Sequence, residues 1–316
     1  MGIRESRRPC VCYFTLVSLV IALVLSVPAL LLIRSGERPA SLLAENPQAE
    51  DAAEEPPAED QAYDSLLAKH KMARLRQEPF AQTTEQRLAS HPYVLAAENC
   101  TLTLAQRRAF AGEQYAVQLS DARSFALLAG HGAFRPASLT GLLPPPPVRT
   151  AAGSGADPAD SGAGNLFQFL LEGELYAAPL LLKHAAALGF EHEDQLAAYP
   201  VTAGAQSYPS YWARLALSGQ RAGGAAACAI NFPAWGKMCG RVRAALASGC
   251  YGNVSAAELG FLDFFAAPVA GLDDRAAAVI AQERVGYDDL ARHVRLLQEY
   301  EVLFWDAIFA ARPPPP

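Results

Sequence analysis

Glu301 stands where a helix should carry only apolar side chains. In LLQEYEVLFWDAIF, residues 296–309, Leu297, Phe304 and Ile308 share one face at helical spacing, and Tyr300 and Trp305 flank it. Glu301 falls in the same stripe, four residues after Leu297 and three before Phe304. Glu174 repeats the pattern in LFQFLLEGELYAAPLLLKHAAALGF, on a face with Phe167, Leu170, Leu171, Leu181 and Leu182. A carboxylate removed from water is costly unless it is paired or hydrogen-bonded. Desolvation raises its pKa, which is how general acids and bases are tuned. Each acid also has a structural reading, satisfied by an Arg, a Tyr or the backbone of a neighbouring helix. Two acids on the inner faces of one bundle keep the catalytic reading level with the structural one.

Other chemistries find little support. The six histidines, at 70, 91, 131, 184, 192 and 293, form no Glu-x-x-His pair of the kind a di-metal bundle needs. The six cysteines, at 10, 12, 100, 228, 239 and 250, contain no Cys-x-x-Cys. No metal and no cofactor is therefore expected. No Gly-rich phosphate loop and no Gly-x-Ser-x-Gly element occurs. With a net charge of −6 and no cluster of Lys and Arg, a nucleic-acid surface is excluded. In an oxidising compartment Cys100, Cys228, Cys239 and Cys250 could pair, with the connectivity left open.

The elements that must position the two acids read as helices. Segments 104–130, 165–189, 208–219, 222–248, 256–266, 270–284 and 286–311 are Ala- and Leu-rich with helical periodicity. Thr83-x-x-Gln86 and Thr103-x-x-Gln106 have capping-box form, and Ser255 opens another helix. Alternating β-branched runs are almost absent. The expected fold is all-α, a bundle of about seven or eight helices. Pro233 should kink or break the 222–248 helix. Gly236 and Gly240 after it would admit a close neighbour, either a helix or a ligand.

Outside the bundle, residues 11–33 carry no charge and are long enough to span a bilayer as an uncleaved anchor. A signal peptide or an organelle leader is the alternative. Arg4, Arg7 and Arg8 before the segment lean toward a cytosolic stretch 1–10 and a lumenal body. Two N-glycosylation sequons, Asn99-Cys100-Thr101 and Asn253-Val254-Ser255, fit that side. Met1-Gly2 with Ser6 also matches the loose myristoylation pattern, and Cys10 or Cys12 could take a palmitate. Residues 34–62 are acidic and Pro-rich and read as a disordered tether. The Pro/Gly/Ala run 141–164 reads as a surface insertion within a body spanning 63–312.

The body resembles the TenA (thiaminase II) and PqqC superfamily of heme-oxygenase-like helical bundles. The likeness lies in HPYVLAAENCTLTLAQRRAFAGEQYAVQ, SYPSYWARLAL, INFPAWGKMCGRVRAAL and the ending YEVLFWDAIF, in that order, over residues 84–311. It implies a heme-oxygenase-like bundle around a central pocket that takes a small heterocyclic ligand, and an association of several copies of the chain. It also implies hydrolysis of a C–N bond on an aminopyrimidine, with Glu301 as acid/base and Glu174 assisting. Trp235, Phe265 and Phe304 would wall the pocket, with Tyr115, Gln118 and Asp121 on the helix that carries Tyr-x-x-Gln. Several family positions differ. Pro233 stands where the nucleophilic Cys would be, Lys237 at the Tyr, and Leu119 at the Asp after Gln118. Asp121, two residues past that position, would be turned ~200° around the helix. Phe265 lacks the family hydroxyl, and Leu181 stands at the His of a di-iron Glu-x6-His. A non-catalytic binding module and a purely structural domain on the same fold therefore stand beside the enzyme.

Overall fold

A computed structural model describes residues 58–130, 138–140 and 164–312. The segment 11–33, its flanks and the insertion 141–163 lie outside the described residues. Among the described helices none is long and apolar enough to cross a membrane.

The described residues are helical throughout and form no strand. Eleven helices run α1 (Ala58–Gln77), α2 (Pro79–Ala89), α3 (Pro92–Glu98), α4 (Leu104–Leu128), α5 (Gly164–Ala187), α6 (Glu193–Ala197), α7 (Ala203–Leu217), α8 (Arg221–Leu246), α9 (Ala256–Ala266), α10 (Leu272–Glu283) and α11 (Tyr287–Ala310). The expected seven or eight undercount them, because α1, α2, α3 and α6 lie outside the seven periodic segments. α1 begins at Ala58, inside the stretch read as tether, and α7 begins five residues before the expected 208.

Six helices close on themselves. α4 packs on α5, α5 on α9, α9 on α8, α8 on α11, α11 on α7, and α7 back on α4. The remaining helices pack around this ring, α10 between α8 and α1, α2 against α11 and α3 against α8.

Local chemistry fixes where the helices start. Thr103 caps α4 in a reciprocal box with Gln106, and Gln106 Nε2 also donates to the Phe309 carbonyl at 2.7 Å. Ser255 caps α9 by accepting from the Glu258 amide. The proposed box at Thr83 does not form. Pro79 starts α2 with Glu78 as its N-cap, because its fixed φ is pre-set for the first helical position, so Thr83 lies inside the helix. His91 caps α3 by accepting from the Tyr93 amide on Nδ1, which leaves Nε2 to donate to Asp306 at 3.1 Å. That bond joins the His-Pro opening to the end of the Glu-x-x-Phe-Trp-Asp stretch.

Pro233 does not break α8, which runs unbroken from Arg221 to Leu246. Proline frees the carbonyl four residues back, that of Ala229, and Arg76 from α1 donates to it at 3.2 Å. Gly236 and Gly240 admit a helix. A Cβ at Gly236 would lie 2.9 Å from the Phe265 carbonyl oxygen, and one at Gly240 3.4 Å from Ala266 Cβ. Gly112 is tighter still, since a Cβ there would fall 2.3 Å from the Tyr199 ring.

Glu193, at the start of α6, holds the segment 138–140. It accepts from Tyr115 Oη (2.9 Å), Ser138 Oγ (3.0 Å), the amides of Leu139 and Thr140, and Thr140 Oγ1. Burial alone would raise this carboxyl, yet these donors hold it below the ordinary range.

Cys100 and Cys250 form a disulfide, and Cys228 and Cys239 are buried as free thiols. The bridge closes a loop across a sequence separation of 150 residues. Chain-entropy arguments put its stabilisation at about 5 kcal/mol at most, with about 2–5 kcal/mol typical of native bridges. Reductant should therefore lower the melting temperature of the parent protein and leave Cys250→Ser unmoved. Identical melts of the parent with and without reductant would show that the bridge contributes nothing.

Candidate functional site

The helix ring encloses a cavity of about 440 Å³, counted out to its mouth, lined by residues from all six helices. α4 contributes Gln114, Val117 and Asp121, α5 Glu174, α7 Tyr208, α8 Phe232 and Trp235, α9 Phe265, and α11 Glu301 and Phe304. The cavity lies between the two halves of the core. Trp235, Phe265 and Phe304 belong to one hydrophobic cluster, Phe232 to the other, and Tyr208 packs against both.

The aromatic wall is continuous. Trp235 meets Phe304 edge-on at 5.7 Å between centroids and Phe265 at 6.0 Å, and stacks on Phe110 at 6.2 Å. Edge-to-face packing of this kind fixes ring positions as well as filling space.

Glu301 is 2% exposed. Its Oε2 accepts from Asn231 Nδ2, and its Oε1 accepts from the indole Nε1 of Trp305 at 3.3 Å. Both donors are neutral. Burial pushes the Glu301 carboxyl up to about 7, and the two hydrogen bonds only partly oppose that rise. Asp121 is driven well above the ordinary range, first by burial and then by the charge of Glu174. Tyr208 is raised by burial and by the charges of Asp121 and Glu301. Three carboxyl groups thus line one cavity, and burial favours the protonated forms of Glu301 and Asp121. Asp121 Oδ1 and Asn231 Oδ1 are buried and have no hydrogen-bond partner among the described residues. Asp121 faces the cavity, so its unmet acceptor is open to a water or a donor-bearing ligand.

Glu301, Glu174, Asp121, Trp235, Phe265 and Phe304 meet at the cavity. The ~200° turn expected for Asp121 does not remove it from the site, because the cavity faces the stripe Gln114, Val117 and Asp121. Leu119 instead packs against the core. Gln118 does not line the cavity. It is buried behind it and donates to the Glu174 carbonyl oxygen at 2.7 Å, steadying the helix that carries that acid. Tyr115 does not line it either, since its hydroxyl is held by Glu193. Gln114, Val117, Tyr208 and Phe232 were missed by the sequence reading. Helical phase from Asp121 would have given Gln114 and Val117, whereas Tyr208 and Phe232 carry no local signal. Pro233, at the family Cys position, is exposed, and so is Lys237, which pairs with Glu85. No cysteine lines the cavity.

No family model matches the chain, and no curated protein matches it significantly. Among solved structures it is similar to the crystal structure of a TenA homolog from Pseudomonas syringae pv. tomato. Identity is 15%, the match covers 75% of this chain and 91% of the other, and the TM-score is 0.51. The body thus has a TenA-like all-α fold.

The Glu301 carboxyl titrates higher in the folded chain than its ordinary value of 4.5. The protonated form is therefore the one folding favours. The associated stability is fully present below about pH 4.5 and is lost as pH rises through about 7. At 1.36 kcal/mol per unit the loss is about 3 kcal/mol, and Asp121 adds to it with the same sign. Glu301→Gln should flatten this slope, because the amide does not titrate, while the Asn231 amide can turn to pair with it. Denaturant unfolding at pH 5 and pH 8 checks it, and equal slopes in parent and variant would mean that Glu301 does not titrate in this range.

Proposed function

We propose that this chain is a membrane-tethered, TenA-like pocket protein that hydrolyses a C–N bond of an aminopyrimidine or a related small heterocycle. The observation that carries the reading is the buried Glu301 carboxyl, raised to about 7 and sharing an aromatic-walled cavity with Asp121 and Glu174. A flat heterocycle would stack among Trp235, Phe265 and Phe304. An exocyclic N–H group would meet the unpaired acceptor of Asp121. Water would add to the carbon of the scissile bond, with the ionised partner of the Asp121–Glu174 pair taking its proton. As the C–N bond breaks, protonated Glu301 would hand its proton to the departing nitrogen. The tether is the uncharged segment 11–33.

One observation favours a second reading, binding without turnover. No thiol faces the cavity, and burial raises the free thiol of Cys239 away from its reactive thiolate form.

Calorimetry and product analysis on the full chain with small aminopyrimidines, thiamin pyrimidines first, separate the two. Turnover should fall as pH rises through about 7, where Glu301 loses its proton. Glu301→Gln should cost about 10²–10⁴-fold in kcat while the protein stays folded. Binding without product formation would leave the second reading, and neither binding nor turnover would sink both.

A further inference from the structure

We propose that Asn99 and Asn253 are acceptors for N-linked glycans, placed on one exposed corner of the fold by the Cys100–Cys250 disulfide. The two sequons are far apart in the chain and meet in space. Cys100 is the middle residue of Asn99-Cys100-Thr101, and its bridge partner Cys250 lies three residues before Asn253. The bridged Cα atoms are 5.8 Å apart, so with ~3.8 Å per residue the two asparagine Cα atoms lie within about 21 Å. Tyr251 joins the same two turns. Its hydroxyl donates toward the Ala96 and Ala97 carbonyl oxygens at 3.1 and 2.9 Å and accepts from the Leu102 amide at 3.2 Å.

Asn99, Thr101, Asn253 and Ser255 are all exposed. Asn99 ends α3 and Asn253 sits in the turn before α9, so a bulky sugar at either projects from a loop and displaces no helix contact. The disulfide is the independent observation. Structural bridges persist on cell surfaces and in the secretory lumen, where N-glycans are added, and are rare in the cytosol. That corner and a lumenal body behind an uncharged N-terminal segment agree.

In the transfer, C1 of an oligosaccharide carried on a polyprenyl pyrophosphate breaks its bond to the phosphate oxygen. It bonds to the Asn side-chain nitrogen, which loses a proton, and the polyprenyl pyrophosphate leaves. The sequon hydroxyls are engaged in the folded protein. Thr101 Oγ1 donates to the Ala96 carbonyl oxygen, and Ser255 Oγ accepts from the Glu258 amide at 3.2 Å. Transfer must therefore precede folding at both sites. At Asn99 it also competes with closure of the bridge at the adjacent Cys100.

The test expresses the full chain in eukaryotic cells and treats the membrane fraction with a peptide-N-glycosidase in heavy-oxygen water. Asn99 and Asn253 should both be recovered as labelled Asp. The parent should shift by two glycan steps on a gel, Asn99→Gln and Asn253→Gln by one each, and the double variant by none. Cys250→Ser should raise occupancy at Asn99 and leave that at Asn253 unchanged. Because transfer precedes folding, a variant that folds poorly still reports. An unmodified parent chain overturns the proposal, and label at one asparagine only overturns it for the other.

Discussion

The desolvation of Glu301 is the constraint on which the rest of the structure turns. A carboxyl at the centre of a helical bundle, given only an amide and an indole as partners, cannot recover in hydrogen bonds what it loses in hydration. No lysine or arginine is among its hydrogen-bond partners. An ion pair there would restore an ordinary pKa and give a stable but inert core. Neutral donors instead hold the carboxyl in place and leave its proton exchangeable near neutral pH. Asp121 and Glu174 compound the cost, since each makes ionisation of the other harder.

Such a cluster survives only if the scaffold around it is closed and tight. The six-helix ring supplies the closure. Its tightness comes from positions where backbone meets neighbour without a side chain between, as at Gly236 against Phe265 and Gly223 against His293. The polar residues also shape the core. Glu301, Asp121, Glu174, Asn231 and Gln118 run between two apolar clusters, one around Phe110 and Trp305 and the other around Phe125 and Trp212. The cavity is where the two apolar halves fail to merge.

Much of this was legible in the sequence, for a physical reason. Helical periodicity reports burial on one face, so the seven long segments and the two acids on greasy stripes were readable without any partner. Short helices such as α3 and α6 span too few turns to show a period. Pro233 does not break α8 although local chemistry forbids its hydrogen bond, because tertiary structure brings Arg76 to the freed carbonyl. Tyr115 misled because its partner, Glu193, is 78 residues away. Tyr208 and Phe232 belong to the cavity only through the way α7 and α8 close the ring. The pairing of Cys100 with Cys250 is equally a property of the fold, since four cysteines leave several connectivities open.

The departures from the family pattern fall off the cavity or change its character in one direction. Pro233 and Lys237 are both exposed, so neither substitution leaves a gap in the lining. Leu119 packs into the core, and a carboxyl group stands at Asp121, on the face of α4 that meets the cavity. Phe265 keeps the ring and loses the hydroxyl. Among the described residues no cysteine lines the cavity, and three carboxyl groups do. On the proposed function, a proton held by Glu301 would act on a bound heterocycle in a poorly solvated space, where an electrostatic interaction is stronger than in water. The same burial that makes the Glu301 carboxyl costly would then make its proton useful once a ligand fills the cavity.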